Sequence, residues 1–149
     1  MKFICDHMLG TLARWLRLLG FDVLYPGPLS DKEIKEIAGK EGRTVLTRDK
    51  ELGSTDKVPA LYIESDDLEE QLEFTVSRLR LTVDNPMSRC SLCNSPIKKI
   101  VKAKVGRKVP SGVLERQNEF WFCPRCDKYY WQGSHWDQIV KRIKKLESS

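Results

Sequence analysis

Apolar runs that stop at a carboxylate mark the first half of the chain. Lys2-Phe3-Ile4-Cys5-Asp6 and Arg43-Thr44-Val45-Leu46-Thr47-Arg48-Asp49 hold apolar and β-branched residues without polar alternation, the pattern of a parallel-sheet strand covered on both faces. Phe21-Asp22-Val23-Leu24-Tyr25 predicts another strand, stopped by Pro26-Gly27-Pro28, and Pro59-Ala60-Leu61-Tyr62-Ile63 predicts a fourth. Between the strands the period lengthens. Leu9, Leu12, Ala13, Leu16 and Leu19 fall at helical spacing and are closed by Gly20, a residue that helix C-termini favour. Ser30-Asp31-Lys32-Glu33 has the form of a capping box, opening a helix carried by Ile34, Ile37 and Ala38 and ended by Gly42. Lys50-Glu51-Leu52-Gly53 reads as one helical turn, and Leu68, Leu72, Val76 and Leu79 line a closing helix over 67–81. The order β-α-β-α-β-β-α with short connections predicts a small parallel α/β layer structure with helices on both faces.

The pattern changes beyond Thr82-Val83-Asp84-Asn85-Pro86-Met87, a polar connector containing proline. The boundary is placed there, giving domains 1–84 and 85–149. Cys90-Ser91-Leu92-Cys93 and Cys123-Pro124-Arg125-Cys126 are two C-x-x-C turns with 29 residues between them. Each such turn points two sulfurs at one ion, and Cys90, Cys93, Cys123 and Cys126 together suit tetrahedral Zn²⁺. A redox reading of Cys-Pro-Arg-Cys needs a long helix from its first cysteine, but the strand-like Asp127-Lys128-Tyr129-Tyr130-Trp131 follows instead. Val101-Lys102-Ala103-Lys104-Val105 and Glu119-Phe120-Trp121-Phe122 read as ribbon strands with a turn at Gly106-Arg107-Lys108. After Gly133-Ser134-His135-Trp136 comes a basic helix with Ile139, Val140, Ile143 and Leu146 inward and Lys141, Arg142, Lys144 and Lys145 outward.

Charge follows the same division. Residues 1–82 hold 12 Lys and Arg against 15 Asp and Glu, net −3, and residues 83–149 hold 14 against 6, net +8. The acidic part suits cations and the basic part a polyanion such as RNA. In that part, aromatic residues interleave with Lys and Arg. Trp131, Trp136 and Tyr130 read equally as a base-stacking surface with Lys141 beside it, or as the packing of the ribbon. His135 reads as a packing residue ahead of an RNA contact. No run approaches the length of a membrane span, and no signal-peptide pattern opens the chain. A soluble cytoplasmic protein is expected, one whose paired cysteines bind metal.

Candidate chemistry gathers at the strand ends, where ligands of open α/β sheets bind. If the first and third predicted strands are parallel neighbours, Asp6 and Asp49 emerge side by side, and a divalent cation is the usual solution to such crowding. Asp31, in the first turn of its helix, favours the helix dipole and also stands near that edge. Arg14 and Arg17, three apart on one helical face, are read either as a solvated face or as phosphate contacts. Cys5 is read as core.

Phe3-Ile4-Cys5-Asp6, Leu9-Gly10-Thr11-Leu12-Ala13-Arg14-Trp15-Leu16-Arg17, Ser30-Asp31, Leu46-Thr47-Arg48-Asp49, the two C-x-x-C turns and Tyr130-Trp131-Gln132-Gly133-Ser134-His135-Trp136 together resemble a known family. It is the PIN-like RNase domain with a zinc ribbon, of the mutator-seven C-terminal type. The resemblance implies a Mg²⁺- or Mn²⁺-dependent endoribonuclease acting on single-stranded RNA, with Asp6, Asp31 and Asp49 in its acidic cluster. Thr47 would orient ligands or water, and Arg14, Arg17 and Arg48 would hold phosphate. Leu52 stands where many PIN domains carry a further acid, leaving Glu51, Asp66 or Asp67 nearby. The other reading is a non-catalytic RNA-binding or ribosome-associated module whose acids only cap helices and end strands. An antitoxin-like or ribosomal protein partner is compatible with either, and nothing in the sequence specifies one.

Overall fold

The computed structural model describes residues 1–147. They divide into two compact units, Met1–Asn94 and a second from Ser95 onward.

The first unit contains β1 (Lys2–Cys5), a 3-10 turn (His7–Leu9), α1 (Gly10–Leu18), β2 (Asp22–Leu24), α2 (Asp31–Glu41), β3 (Thr44–Thr47), α3 (Lys50–Gly53), β4 (Ala60–Tyr62) and α4 (Leu68–Arg78). Its four strands form a parallel sheet in the order β2-β1-β3-β4. In register, Leu24, Ile4, Val45 and Ala60 make one row across it. That row packs on Ile34 and Ala38 of α2 and Leu52 of α3. Alternation along each strand turns Phe3, Cys5 and Leu46 to the other face. There Phe3 meets Phe21 edge-on at 5.8 Å, and α1 and α4 contact each other with Leu12, Leu16, Leu72 and Val76 buried. Covered on both sides, β1 and β3 are the unbroken apolar runs of the sequence.

The expected caps are in place. Ser30 Oγ accepts from the Glu33 N–H while Glu33 accepts from the Ser30 N–H, and Gly42 ends α2 at φ +66.

Residues 85–94 belong to the first compact unit and are bound to it. The Met87 N–H donates to the Leu18 carbonyl at 2.7 Å. Asn94 accepts from the Val23 N–H and donates to Asp22. At Gly20 (φ +105) a Cβ would stand 2.2 Å from the Asn85 carbonyl oxygen, so the crossing admits only glycine.

The second unit contains an antiparallel sheet in the order β5 (Lys98–Ile100), β6 (Phe120–Cys123), β7 (Lys128–Tyr130), with helices α5 (Ser111–Arg116) and α6 (Ser134–Glu147). The strand expected at Val101–Val105 is a correction: Lys102–Lys104 form a 3-10 turn, and pairing with β6 uses Lys98–Ile100 instead. Lysines on an edge strand discourage further pairing, and they hide the strand from an apolar search. Phe120, Tyr130, Trp136, Ile139 and Ile143 are buried. No helix among the described residues is long and apolar enough to cross a membrane.

Candidate active site and metal centre

Strands β1 and β3 are adjacent and parallel, with Cys5 opposite Leu46, and the ladder continues as the Asp6 N–H donates to the Leu46 carbonyl. This pairing brings Asp6 beside Thr47. The Asp6 side chain is only 5% exposed and accepts three hydrogen bonds. Oδ1 takes the Met8 N–H at 3.0 Å, capping the 3-10 turn. Oδ2 takes the Thr47 hydroxyl at 2.5 Å and the Arg48 N–H at 2.9 Å. Thr47, fully buried, accepts in turn from the Asp49 N–H at 2.9 Å. Asp49 is exposed, and its Oδ1 caps α3 through the Glu51 and Leu52 N–H groups.

Asp31 is the first residue of α2, which follows β2, the other neighbour of β1. Tyr25, just past β2, donates its hydroxyl to the His7 carbonyl at 2.7 Å and holds the two strand exits together. Asp6 and Asp49 thus follow the carboxyl ends of the adjacent strands β1 and β3, and Asp31 opens the helix that follows β2. Hydrogen bonds join Asp6, Thr47 and Asp49 into one chain, which Asp31 does not enter. Of the other nearby acids, Asp67 caps α4 through the Glu70 N–H.

Hard carboxylate oxygens at such an edge suit Mg²⁺ or Mn²⁺ in kind, and Asp6 Oδ1 keeps one lone pair open. Among the described residues, however, the group of three or more His, Cys, Asp or Glu donors lying within 4.8 Å of one another is the cysteine quartet. The acids fit a hard cation by the chemistry of their donors, and among the described residues they are not gathered within that distance.

The quartet is Cys90, Cys93, Cys123 and Cys126. Its two turns share a backbone signature: the residue after each second cysteine, Asn94 (φ +67) or Asp127 (φ +52), is left-handed, a conformation that Asn and Asp tolerate best. The Asn94 N–H returns to the Cys90 carbonyl at 2.9 Å, and the Cys126 N–H donates to Cys123 Sγ at 3.4 Å. Four soft sulfurs gathered this closely fit a tetrahedral metal ion.

Compared with known families, the chain matches the Mut7-C RNAse domain over residues 1–143. The chain belongs to that family. No curated protein and no solved structure matches it. Membership as a Mut7-C RNAse domain carries an RNase-type function with RNA as the substrate.

The basic residues of this Mut7-C domain part company. Arg14 is exposed on α1. Arg17 is a correction: it is 6% exposed, donating Nε to the Val23 carbonyl at 2.9 Å and Nη1 to those of Ser91 (3.0 Å) and Leu92 (3.4 Å). It has no face for phosphate, and burial pushes its guanidinium below the ordinary pKa. Arg48 donates Nη2 to the Glu64 carbonyl, while its buried Nε has no partner.

Arg43, to which the sequence reading assigned no role, is buried and donates to the Phe3 carbonyl, Asp22 and Glu41. Burial works against the charge of Asp22, but the Arg43 and Asn94 bonds outweigh it and hold the carboxyl below its usual range. A charged residue opening a strand was the available signal.

Of the two readings of Trp136, packing fits the structure, which leaves it 7% exposed on the inward side of α6. Lys141 and His135 are exposed on that helix. Lys99, Trp121 and Tyr130 are paired across three strands and share one face. Lys99 sits over the half-buried Trp121 ring at 5.9 Å, and Lys128 over the Tyr130 ring at 5.5 Å.

Proposed function

We propose that this chain is a cytoplasmic, metal-dependent endoribonuclease of single-stranded RNA, with a structural zinc in its cysteine quartet. The observation that carries the reading is the Asp6–Thr47–Asp49 hydrogen-bonded chain at adjacent strand ends. A buried carboxylate fixed by three donors is a preorganised acceptor, and the Thr47 hydroxyl fixes it relative to the Asp49 backbone. Asp6 and Asp49, with Asp31, would hold the Mg²⁺ or Mn²⁺. When bound, that ion supplies an activated water and offsets charge on the phosphodiester. Arg48 and the exposed Arg14 present guanidinium groups to phosphate, and a guanidinium fork pairs two oxygens at once. In the reducing cytoplasm, thiols are available to zinc.

Trp121 with Lys99 and Lys128 would grip the RNA, stacking a base while neutralising phosphates. Residues 95–149 hold 13 Lys and Arg against 5 Asp and Glu, which suits that role.

A second reading, a non-catalytic RNA-binding module, is favoured by one observation: Asp6 and Asp49 both cap turns, and Asp31 opens a capped helix. Incubating the purified chain with end-labelled single-stranded RNA, with Mn²⁺ and then with chelator, separates the two. Cleavage that requires the ion supports the nuclease, and intact RNA that is nevertheless bound supports the module.

A further inference from the structure

Arg17 presents an imbalance of charge. A guanidinium taken out of water costs several kcal/mol unless an anion compensates, yet its hydrogen-bond acceptors are the neutral carbonyls of Val23, Ser91 and Leu92. Asp22 is engaged by Arg43 and Asn94. The other groups whose field favours the charged guanidinium are cysteines: Cys5, Cys90 and Cys93. Cys5 is fully buried, and desolvation pushes its thiol so far up that it stays neutral. That leaves the pair at Cys90 and Cys93, and Ser91 and Leu92 are the two residues between them. Arg17 therefore grips the middle of the turn that would carry two thiolates. Zn²⁺ held by four thiolates keeps two net negative charges, and outer-shell partners tune such centres.

We propose that Arg17 is the counter-ion of the thiolate centre, placing on helix α1 the positive charge that stabilises the bound zinc. The proposal rests on the zinc reading of the quartet. It makes Arg17 a positioning residue that touches no substrate, and it gives α1 a stake in metal loading. In a chain stripped of metal, the buried cation keeps the carbonyls of Val23, Ser91 and Leu92 as its hydrogen-bond partners. The α1 and β2 backbone that surrounds it should then loosen.

The test uses the full chain, zinc-loaded and chelator-stripped, as wild type, Arg17→Met and Arg17→Lys. In competition against a chromophoric chelator, Arg17→Met should bind zinc about 10–100-fold more weakly, the usual effect of an outer-shell change. Its melting temperature should fall in the loaded form, and hold or rise in the stripped form, where an uncompensated charge has been removed. Arg17→Lys keeps the charge and should recover most of the zinc affinity. Equal falls in both forms with unchanged zinc affinity would make Arg17 a carbonyl-bonding packing residue and overturn the proposal. Should Arg17→Met fail to fold, hydrogen exchange on the wild type decides: α1 and β2 amides lose protection on stripping, or the coupling is absent. A wild-type chain that binds no zinc defeats the zinc reading itself, a different result from a chain that binds zinc and ignores Arg17.

Discussion

The two units obtain their order from different sources. The first closes aliphatic rows of a parallel sheet between helices, and side chains satisfy its strand and helix ends: Ser30, Asp49 and Asp67 cap helices, while Asp6 caps the 3-10 turn. The second has a three-stranded ribbon with half-buried rings, lysines on its edge and a basic helix, around few buried aliphatic residues. A unit with a continuous apolar layer folds on burial. A small charged unit needs another source, and metal binding at about 10–16 kcal/mol is of the required size. The first unit is a frame that its own apolar burial can hold, while the ribbon, on the proposed reading, depends on a metal in the cysteine quartet.

The largest effect should come from removing that metal. Elemental analysis should find one zinc per chain, and Cys123→Ser or chelation should abolish hydrogen-exchange protection across 95–147 while β1 and β3 stay protected. A ribbon that keeps its protection without metal breaks the contrast.

The next effect separates chemistry from frame within the first unit. Asp49→Asn keeps an oxygen for the two capping N–H groups, and Asn caps helices as well as Asp does. Stability should hold while cleavage falls by more than the roughly 10–100-fold of an outer-shell change. Asp6→Asn instead sets an amide donor against N–H groups at a buried site and should also cost about 1–3 kcal/mol in denaturant melts. Wild-type-like cleavage in Asp49→Asn would remove that residue from the chemistry.

On the ribbon, Trp121→Ala should weaken single-stranded RNA binding by about 1–3 kcal/mol per stacked base, read by fluorescence anisotropy. Trp136→Phe, a core change, should leave binding in place. The reverse pattern would move the RNA surface to α6.

The smallest effect is a pH dependence. The folded pKa of Asp22 is depressed, so its bonds stabilise above the unfolded value of about 3.9 and are lost as pH falls through the folded value. Wild type should exceed Asp22→Asn by about 1 kcal/mol near neutral pH, and the gap should close in acid below about pH 4. A gap that persists in acid means that Arg43 and Asn94 hold an uncharged partner equally well.

Most of the first unit was legible because its signals are local. The capping box at Ser30 and Glu33, the single turn at Lys50–Gly53 and the apolar runs of β1 and β3 each declare themselves within a few residues. The juxtaposition of Asp6 and Asp49 needed only the guess that their strands were neighbours. Arg17 was misread because an arginine three residues from another looks solvated, and its acceptors at Ser91 and Leu92 lie 74 and 75 residues away. In the second unit the signals are weak at their source. Helix α5 follows Pro110 and contains Gly112, residue types that usually interrupt helices, and β5 consists of two lysines and an isoleucine. Trp136 was ambiguous because stacking surfaces and cores draw on the same aromatic residues.

The pairing of β1 with β3 also fixes when the candidate site can exist during synthesis. Asp6 is made early, yet two of its three donors belong to Thr47 and Arg48, about forty residues downstream. A nascent chain that exposes β1 and α1 alone has an unrestrained Asp6 and no Asp49. Non-local parallel pairing is slow relative to local helix formation, so α1 and α2 can form while the strand-end carboxylates are still apart. Closure of the sheet and assembly of the site are then one event, and an emerging chain carries no organised acidic centre beside the messenger being translated until β3 has docked.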